Sequence, residues 1–276
     1  MESILLPVLI LATLAVSAGI ILTLAARFMA VPVDETVMKV RGVLPGANCG
    51  ACGLAGCDEY AEKLAHDNAA LNLCTPGGEE VSLALEEVLG KNADEVVAMR
   101  ALIRCSGTTE NTSYSMNYQG PKTCEGSFYF FRGRGKCSYS CIGFGDCAAA
   151  CQYDAIRIEN GIAVVDTELC TGCTMCIVSC PGNLITMIKK SNHVFVGCHS
   201  QDSGAVTRKL CQTGCIACKL CEKACKYDAV HVADNIAAID PDKCTNCGEC
   251  IAVCPTHIIH TDCSLSESKK EAVTAG

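Results

Sequence analysis

The hydrophobic pattern begins with a long apolar segment at the amino terminus. Residues 3–26 carry no charged side chain and consist mainly of Leu, Ile, Ala and Val. A helix needs about 20 such residues to cross a bilayer, so the segment predicts a transmembrane anchor over residues 1–27. A cleaved signal peptide is disfavoured, because the segment is too long for its apolar core and no basic residue precedes it.

Basic residues follow this span and are absent before it. Arg27, Lys39 and Arg41 lie on its carboxyl side. The positive-inside rule therefore predicts a single-pass protein of the inner, cytoplasmic membrane whose remaining chain faces the cytoplasm. Thiols stay reduced in that compartment, so metal or cluster ligation is expected there and disulfides are not.

Beyond the anchor the apolar segments are short. A helical pattern covers Asp58 to Asn68, and four segments with strand character recur later, at residues 155–158, 184–187, 229–232 and 257–260. Each of these segments follows a group of cysteines and predicts a short hairpin strand beside that group.

Cysteine dominates the chemistry of the chain, with 25 of 276 residues. The first group lies on the Gly-rich segment GANCGACGLAGC and on a later CTPGG, and it comprises Cys49, Cys52, Cys57 and Cys74. Glycine lets the backbone approach a cluster closely. Four cysteines also make structural zinc sites, so this group alone leaves zinc and iron–sulfur both open.

The later cysteines follow a more specific pattern. The run CxxCxxCxxxC occurs three times, at Cys170, Cys173, Cys176 and Cys180, at Cys215, Cys218, Cys221 and Cys225, and at Cys244, Cys247, Cys250 and Cys254. In bacterial ferredoxins three cysteines of such a run bind one cluster and the fourth binds the other. The spacing predicts [4Fe-4S] clusters here and disfavours zinc ribbons.

The runs are arranged as a duplicated unit. The same spacing separates Cys151 from Cys180 and Cys225 from Cys254, and one constant offset maps the first pair onto the second. We therefore expect Cys151 with Cys170, Cys173 and Cys176 in one cluster, and Cys225 with Cys244, Cys247 and Cys250 in another. Cys215, Cys218, Cys221 and Cys254 make a third.

One ligand is missing from the first unit. Phe144 stands where the offset places the counterpart of Cys218, which leaves Cys141, Cys147 and Cys180. Two alternatives follow: Cys137 completes a four-iron cluster, which we favour because it is close in sequence, or three thiolates hold a [3Fe-4S] cluster. Five clusters are expected in total.

Five cysteines stay outside this scheme: Cys105, Cys124, Cys198, Cys211 and Cys263. Such cysteines often serve as small buried hydrophobic residues. Cys105 and Cys124 nevertheless bracket the segment before the first unit, and Cys198 and Cys211 bracket the linker between the units. An extra cluster bound by these four is the competing prediction.

The pattern resembles a known family. An apolar span, then GANCGACGLAGCDEYAEKL and CTPGGEE, then paired ferredoxin runs with CSYSCIGFGDCAAACQYDAI and CIACKLCEKACKYDAV, is similar to the long form of the B subunit of Rnf complexes. The resemblance implies an electron-transfer subunit that accepts electrons from soluble ferredoxin. These electrons pass toward NAD reduction by other Rnf subunits, coupled to sodium or proton translocation. A membrane-tethered polyferredoxin of a hydrogenase or quinone-linked dehydrogenase is the alternative, and a non-redox metal-binding or assembly factor a more distant one.

The sequence also indicates what this chain does not do. No nucleotide loop with its strand and helix context and no catalytic triad is recognisable, so no NAD or flavin site and no catalytic residue are expected. The net charge of −8 argues against nucleic acid as a partner. An acidic ferredoxin would require a local basic surface, and two groups are candidates: Arg132, Arg134 and Lys136, and Lys189, Lys190, Arg208 and Lys209.

These observations predict an α+β protein built in series. The expected parts are a transmembrane anchor (1–27), a four-cysteine iron–sulfur domain (28–90), a connecting segment (91–136), a first ferredoxin unit (137–190), a linker (191–210), a second ferredoxin unit (211–263) and a polar tail (264–276).

Overall fold

The computed structural model describes residues 2–28, 34–130 and 132–261. Helix α1, Glu2–Phe28, matches the predicted anchor. Its segment Val8–Phe28 has a mean hydropathy of 2.5 and none of it is buried by the rest of the protein. Exposed apolar side chains on every face suit a lipid environment. The predicted polar tail and Cys263 lie outside the described residues.

Three helices form the amino-terminal domain: α2, Glu35–Val43, α3, Cys57–His66, and α4, Gly78–Leu89. Asp34 caps α2 by accepting a hydrogen bond from the Thr36 backbone N–H at 2.7 Å. Val40, Leu64 and Leu85 meet in the core. The predicted helix after Cys57 is thus confirmed. It packs against α2, which also packs against α4.

Each ferredoxin unit contains one internal antiparallel hairpin, formed by β2, Ile156–Glu159, with β3, Ile162–Val165, and by β6, Val230–Ala233, with β7, Ile236–Ile239. Short helices follow the cysteine loops: α6, Asp146–Ala149, and α7, Met175–Val178, in the first unit, and α9, Leu220–Ala224, and α10, Glu249–Ala252, in the second. Each unit encloses its own apolar core together with its cysteines.

The segments we expected to be connectors contribute strands to the units. Strand β1, Met99–Ile103, pairs antiparallel with β4, Ile185–Lys189, and β5, Val194–Val196, pairs antiparallel with β8, Ile259–Thr261. β4 and β8 are the predicted strands after the second run of each unit. An unpaired strand edge exposes backbone N–H and C=O groups. Here β1 and β5, which lie outside the predicted units, pair with those groups of β4 and β8. Helices α5, Cys124–Tyr129, and α8, Gly204–Leu210, complete the two connecting segments.

The two units contact each other through these added segments. Arg100 on β1 is buried and donates a hydrogen bond to the Asn192 carbonyl oxygen at 2.9 Å. Its guanidinium also lies 5.6 Å from the ring centroid of Phe195 on β5. The Gln212 N–H donates to the Asn111 carbonyl oxygen at 3.0 Å. The connectors therefore hold the two units together at a shared junction.

Candidate iron–sulfur sites

The amino-terminal domain brings its four predicted cysteines together as site 1: Cys49, Cys52, Cys57 and Cys74. The Asn48 side chain accepts a hydrogen bond from the Cys57 N–H at 2.9 Å and closes the loop. Gly50 and Gly53 adopt φ values of 73° and 81°, which other residues rarely tolerate. Burial raises the pKa of Cys74, and the neighbouring thiolates of the other three raise it further.

The regular part of the first unit forms site 2: Cys151, Cys170, Cys173 and Cys176, which line one space. The Ala101 N–H donates to the Cys170 sulfur at 3.4 Å. Burial raises the pKa of Tyr153, as do Cys173 of site 2 and Cys49 and Cys74 of site 1 to a smaller extent. Tyr153 is therefore near cysteines of both sites.

The second unit groups its cysteines as the runs predict. Site 5 comprises Cys215, Cys218, Cys221 and Cys254, and site 6 comprises Cys225, Cys244, Cys247 and Cys250. The Ala229 N–H donates to the Cys225 sulfur at 3.4 Å, and the Ala101 N–H donates to the Cys170 sulfur of site 2 in the same way. Such N–H donors stabilise negative charge on a cluster's sulfur ligands.

The irregular part of the first unit differs from the prediction. Site 3 comprises Cys124, Cys141, Cys147 and Cys180, which line a common space that excludes Cys137. Burial raises the pKa of Cys147 to about 12, and Cys141, Cys124 and Cys180 contribute through their charge. Cys124 supplies the fourth thiol of this group, although it precedes the unit by many residues.

Local interactions place Cys124 at site 3. Thr123 caps the short helix α5 by accepting a hydrogen bond from the Gly126 N–H at 3.1 Å. The Asp146 carboxylate accepts hydrogen bonds from the Cys124 N–H at 2.8 Å and the Glu125 N–H at 3.1 Å. This carboxylate ties the start of α5 to the cysteine loop of the first unit.

The remaining cysteines meet between the units as site 4: Cys105, Cys137, Cys198 and Cys211, which line one space. Burial raises the pKa of Cys105 to about 12. The sequence predicts Cys124 in this group and Cys137 in site 3, and the structure exchanges the two. Sequence proximity is misleading for Cys137, because the chain turns away between Cys137 and Cys141, where the Ser140 N–H donates to the Cys137 carbonyl oxygen at 3.0 Å.

The donor chemistry of the six sites fits [4Fe-4S] clusters, since each offers four thiols around one position. Within residues 2–28, 34–130 and 132–261, no group of three or more His, Cys, Asp or Glu side chains has the geometry of a site for a single metal ion. Burial keeps thiols such as Cys147 neutral, and a bound metal supplies the positive charge that stabilises the thiolate.

The predicted basic groups are only partly available at the surface. Arg134 is stacked between aromatic rings, 4.3 Å from the centroid of Tyr114 and 4.5 Å from that of Phe144. Lys189 pairs with Asp242 at 2.6 Å. The exposed basic side chains of the two groups are Arg132, Lys136, Arg208 and Lys209.

Comparison with known protein families matches three parts of the chain. Residues 44–76 match a family model described as a putative Fe-S cluster domain. Residues 138–187 and 214–258 each match a 4Fe-4S dicluster domain. Sites 1, 2, 5 and 6 have their cysteines within these ranges, whereas Cys124 of site 3 and all four cysteines of site 4 lie outside them.

Curated relatives cover nearly the whole chain. The B subunit of a Na(+)-translocating ferredoxin:NAD(+) oxidoreductase complex of Acetobacterium woodii is 40% identical over 97% of this chain and 81% of the relative. The B subunit of an ion-translocating oxidoreductase complex of Methanosarcina acetivorans is 37% identical over 91% and 95%, respectively. A proton-translocating counterpart of Clostridium ljungdahlii is 33% identical over 99% of both chains. The chain therefore belongs to the family of B subunits of Rnf-type ion-translocating oxidoreductase complexes.

Proposed function

We propose that this protein accepts electrons from reduced ferredoxin and relays them toward NAD reduction, which other subunits couple to sodium or proton translocation. The observation that carries the proposal is the match over nearly the whole chain to B-subunit relatives, two of which are named for ferredoxin:NAD(+) oxidoreductase complexes. The chain is an iron–sulfur, membrane-associated subunit of such a complex, and the ferredoxin donor and the NAD acceptor are the inferred parts.

The proposed ligands are the cysteines of sites 1, 2, 3, 5 and 6. Each [4Fe-4S] cluster supplies one-electron redox chemistry when bound. The cysteine thiolates would hold the iron, the backbone N–H groups of Ala101 and Ala229 would stabilise charge on sulfur, and burial would limit water access. Four thiols at site 3 favour a four-iron cluster there over the three-iron alternative.

The sites follow one another in a continuous row. Cys173 of site 2 lies near Cys49 of site 1, and Cys147 of site 3 lies near Cys176 of site 2. Sites 3 and 4 share Tyr139 and His199 in their walls. The Cys215 N–H of site 5 donates to the Cys198 sulfur of site 4, and Cys250 of site 6 lies near Cys221 of site 5. Such proximity supports electron relay along the chain.

The proposed orientation places all six sites in the cytoplasm, where soluble ferredoxin and NAD are found. Arg27 in the last turn of α1 supports it through the positive-inside rule. Protease added to intact cells should leave the cysteine-bearing chain uncut. Cleavage from outside would contradict this orientation.

The function is tested on the membrane complex with and without this protein. Reduced ferredoxin should bleach the visible absorbance of the clusters and drive NADH formation in membranes that contain the protein, and neither should occur without it. Adding back the full-length chain should restore both signals. NADH formation from ferredoxin that persists in the protein's absence, or clusters that ferredoxin leaves oxidised, would contradict the proposal.

A further inference from the structure

Site 4 lies between the two ferredoxin units, outside every residue range that matches a family model. Its cysteines come from four separate segments of the chain and line one space. Cys137 lies close enough to Cys198 and Cys211 for their charges to raise its pKa further after burial. The sulfur atoms of Cys105 and Cys211 both lie beside Gly107. The four thiols therefore face one another.

The four cysteines are related in pairs by the internal duplication. Cys105 follows β1, which pairs with β4 of the first unit, and Cys198 follows β5, which pairs with β8 of the second. Each stands two positions after the last residue of its strand, Ile103 or Val196. Site 4 thus receives one such cysteine from each unit.

Cys137 and Cys211 also occupy equivalent positions of the two units. Cys137 precedes the first ligand of its unit, Cys141, by the same number of residues as Cys211 precedes Cys215. Cys211 is held in place by a β-bridge to Thr112, and the Thr112 hydroxyl donates to the Leu210 carbonyl oxygen at 2.9 Å. Two cysteines from each unit, at equivalent positions, therefore meet at the junction.

Hydrogen bonds to sulfur follow the same symmetry. The Cys141 N–H donates to the Cys105 sulfur at 3.3 Å, and the Cys215 N–H donates to the Cys198 sulfur at 3.5 Å. The Ser200 N–H adds a second bond to Cys198 at 3.4 Å. These bonds match those to the cysteine sulfurs of sites 2 and 6. Cysteines that only fill space in an apolar core have no need of such donors.

Positive charge also stands at the site. Arg104 lines the space beside the cysteines, and its guanidinium donates to the Asn183 carbonyl oxygen of the first unit at 3.0 Å. A cluster with four thiolate ligands carries net negative charge, which a neighbouring guanidinium stabilises, whereas the Asp202 carboxylate near Cys137 opposes it.

We infer that Cys105, Cys137, Cys198 and Cys211 bind a sixth [4Fe-4S] cluster that bridges the two ferredoxin units. This inference deepens the proposed function, and the relay role of site 4 rests on that function. One electron would leave a reduced cluster of one unit, oxidising that cluster, and would reduce a cluster of the other unit by way of site 4. No proton or bond is exchanged in this step.

Iron content of the full-length chain, made anaerobically and kept in detergent, tests the site. The wild-type chain should hold about 24 iron atoms, against about 20 for five clusters. The double variant Cys105→Ala/Cys198→Ala removes one ligand from each unit and should lose about four irons and one cluster signal in the reduced-state electron paramagnetic resonance spectrum. Cys263→Ala, which changes the cysteine that is assigned to none of the six sites, is the matched control and should retain the wild-type content.

Two results would overturn the inference: a wild-type content of about 20 irons, or a double variant that keeps about 24. The wild-type count decides the question even if the double variant fails to fold, and Cys137→Ala/Cys211→Ala provides a second pair. These counts do not depend on ferredoxin or NAD. A chain with six clusters that ferredoxin fails to reduce would contradict the proposed function and leave site 4 standing.

Discussion

The two ferredoxin units share one backbone design and differ in where one ligand originates. In the second unit Cys218 occupies the middle of the first loop, between Ala217 at φ 53° and Lys219 at φ 61°. In the first unit Phe144 occupies that position, between Gly143 at φ 75° and Gly145 at φ 90°. Both loops have positive φ values on either side of this position, but only the loop of the second unit carries a thiol there.

The first unit recovers the fourth thiol from outside its own runs. Cys124 on α5 reaches site 3, while the Phe144 ring lies against Tyr118, with centroids 5.8 Å apart, and against Arg134. Asp146, which holds α5 in place, is replaced by Leu220 at the equivalent position of the second unit. A cluster site is therefore defined by where thiols converge in space, and a motif describes only one way to achieve this.

The largest expected effect tests the two ligands directly. Cys124→Ala should damage site 3 as severely as Cys218→Ala damages site 5, because each removes one of four thiols. Each variant should lose between about one and four irons, depending on whether a three-iron cluster survives. Iron analysis and electron paramagnetic resonance of the full-length chain measure the loss. A Cys124→Ala chain with wild-type iron and spectrum would remove Cys124 from site 3.

A smaller effect is expected from Asp146→Leu, which gives the first unit the residue of the second. The change removes two backbone-to-carboxylate hydrogen bonds, which are worth about 1.5–3 kcal/mol each when a charged group takes part. A chelator should then extract iron from site 3 faster, while sites 5 and 6 release theirs at the wild-type rate. Asp146→Asn keeps one acceptor oxygen and should fall between the two. Uniform release from all sites would mean that α5 does not depend on this contact.

The smallest effect concerns which unit meets ferredoxin. Arg132 and Lys136 lie before the first unit, and Arg208 and Lys209 lie on α8 before the second. Replacing both basic residues of the pair that ferredoxin meets by Glu should slow reduction by ferredoxin several-fold at low salt. It should also weaken the salt dependence of the reduction rate, because exposed charges act mainly on encounter rate. Each double variant is the control for the other. Equal, unchanged rates in stopped-flow reduction would exclude both surfaces.

Much of the fold and of the regular sites could be predicted from sequence, because spacing encodes both. The uncharged segment before Arg27 predicts helix α1, and the runs around Cys173, Cys218 and Cys247 predict the grouping of sites 2, 5 and 6. In these sites the ligands are close in sequence or related by a known pattern, so local rules suffice.

The remaining part depended on tertiary structure that the cysteine runs themselves do not reveal. Strands β1 and β5 lie in segments that the sequence pattern assigns to connectors, and they carry Cys105 and Cys198 to the junction. A search for apolar segments before each unit would have found both strands. The sequence gives a weaker indication that Cys124 and Cys137 are exchanged. Cys137 and Cys211 occupy equivalent positions of the two units, which indicates that Cys137 and Cys211 share a role.

The most direct test returns the missing ligand to the first unit. Because Gly143 and Gly145 preserve the loop conformation of the second unit, a cysteine introduced by Phe144→Cys should stand where Cys218 stands in site 5. The double variant Cys124→Ala/Phe144→Cys should therefore recover the iron and the resonance signal that Cys124→Ala loses. Recovery would show that the two units share one design with an exchanged ligand. A double variant that remains as iron-poor as Cys124→Ala would contradict it.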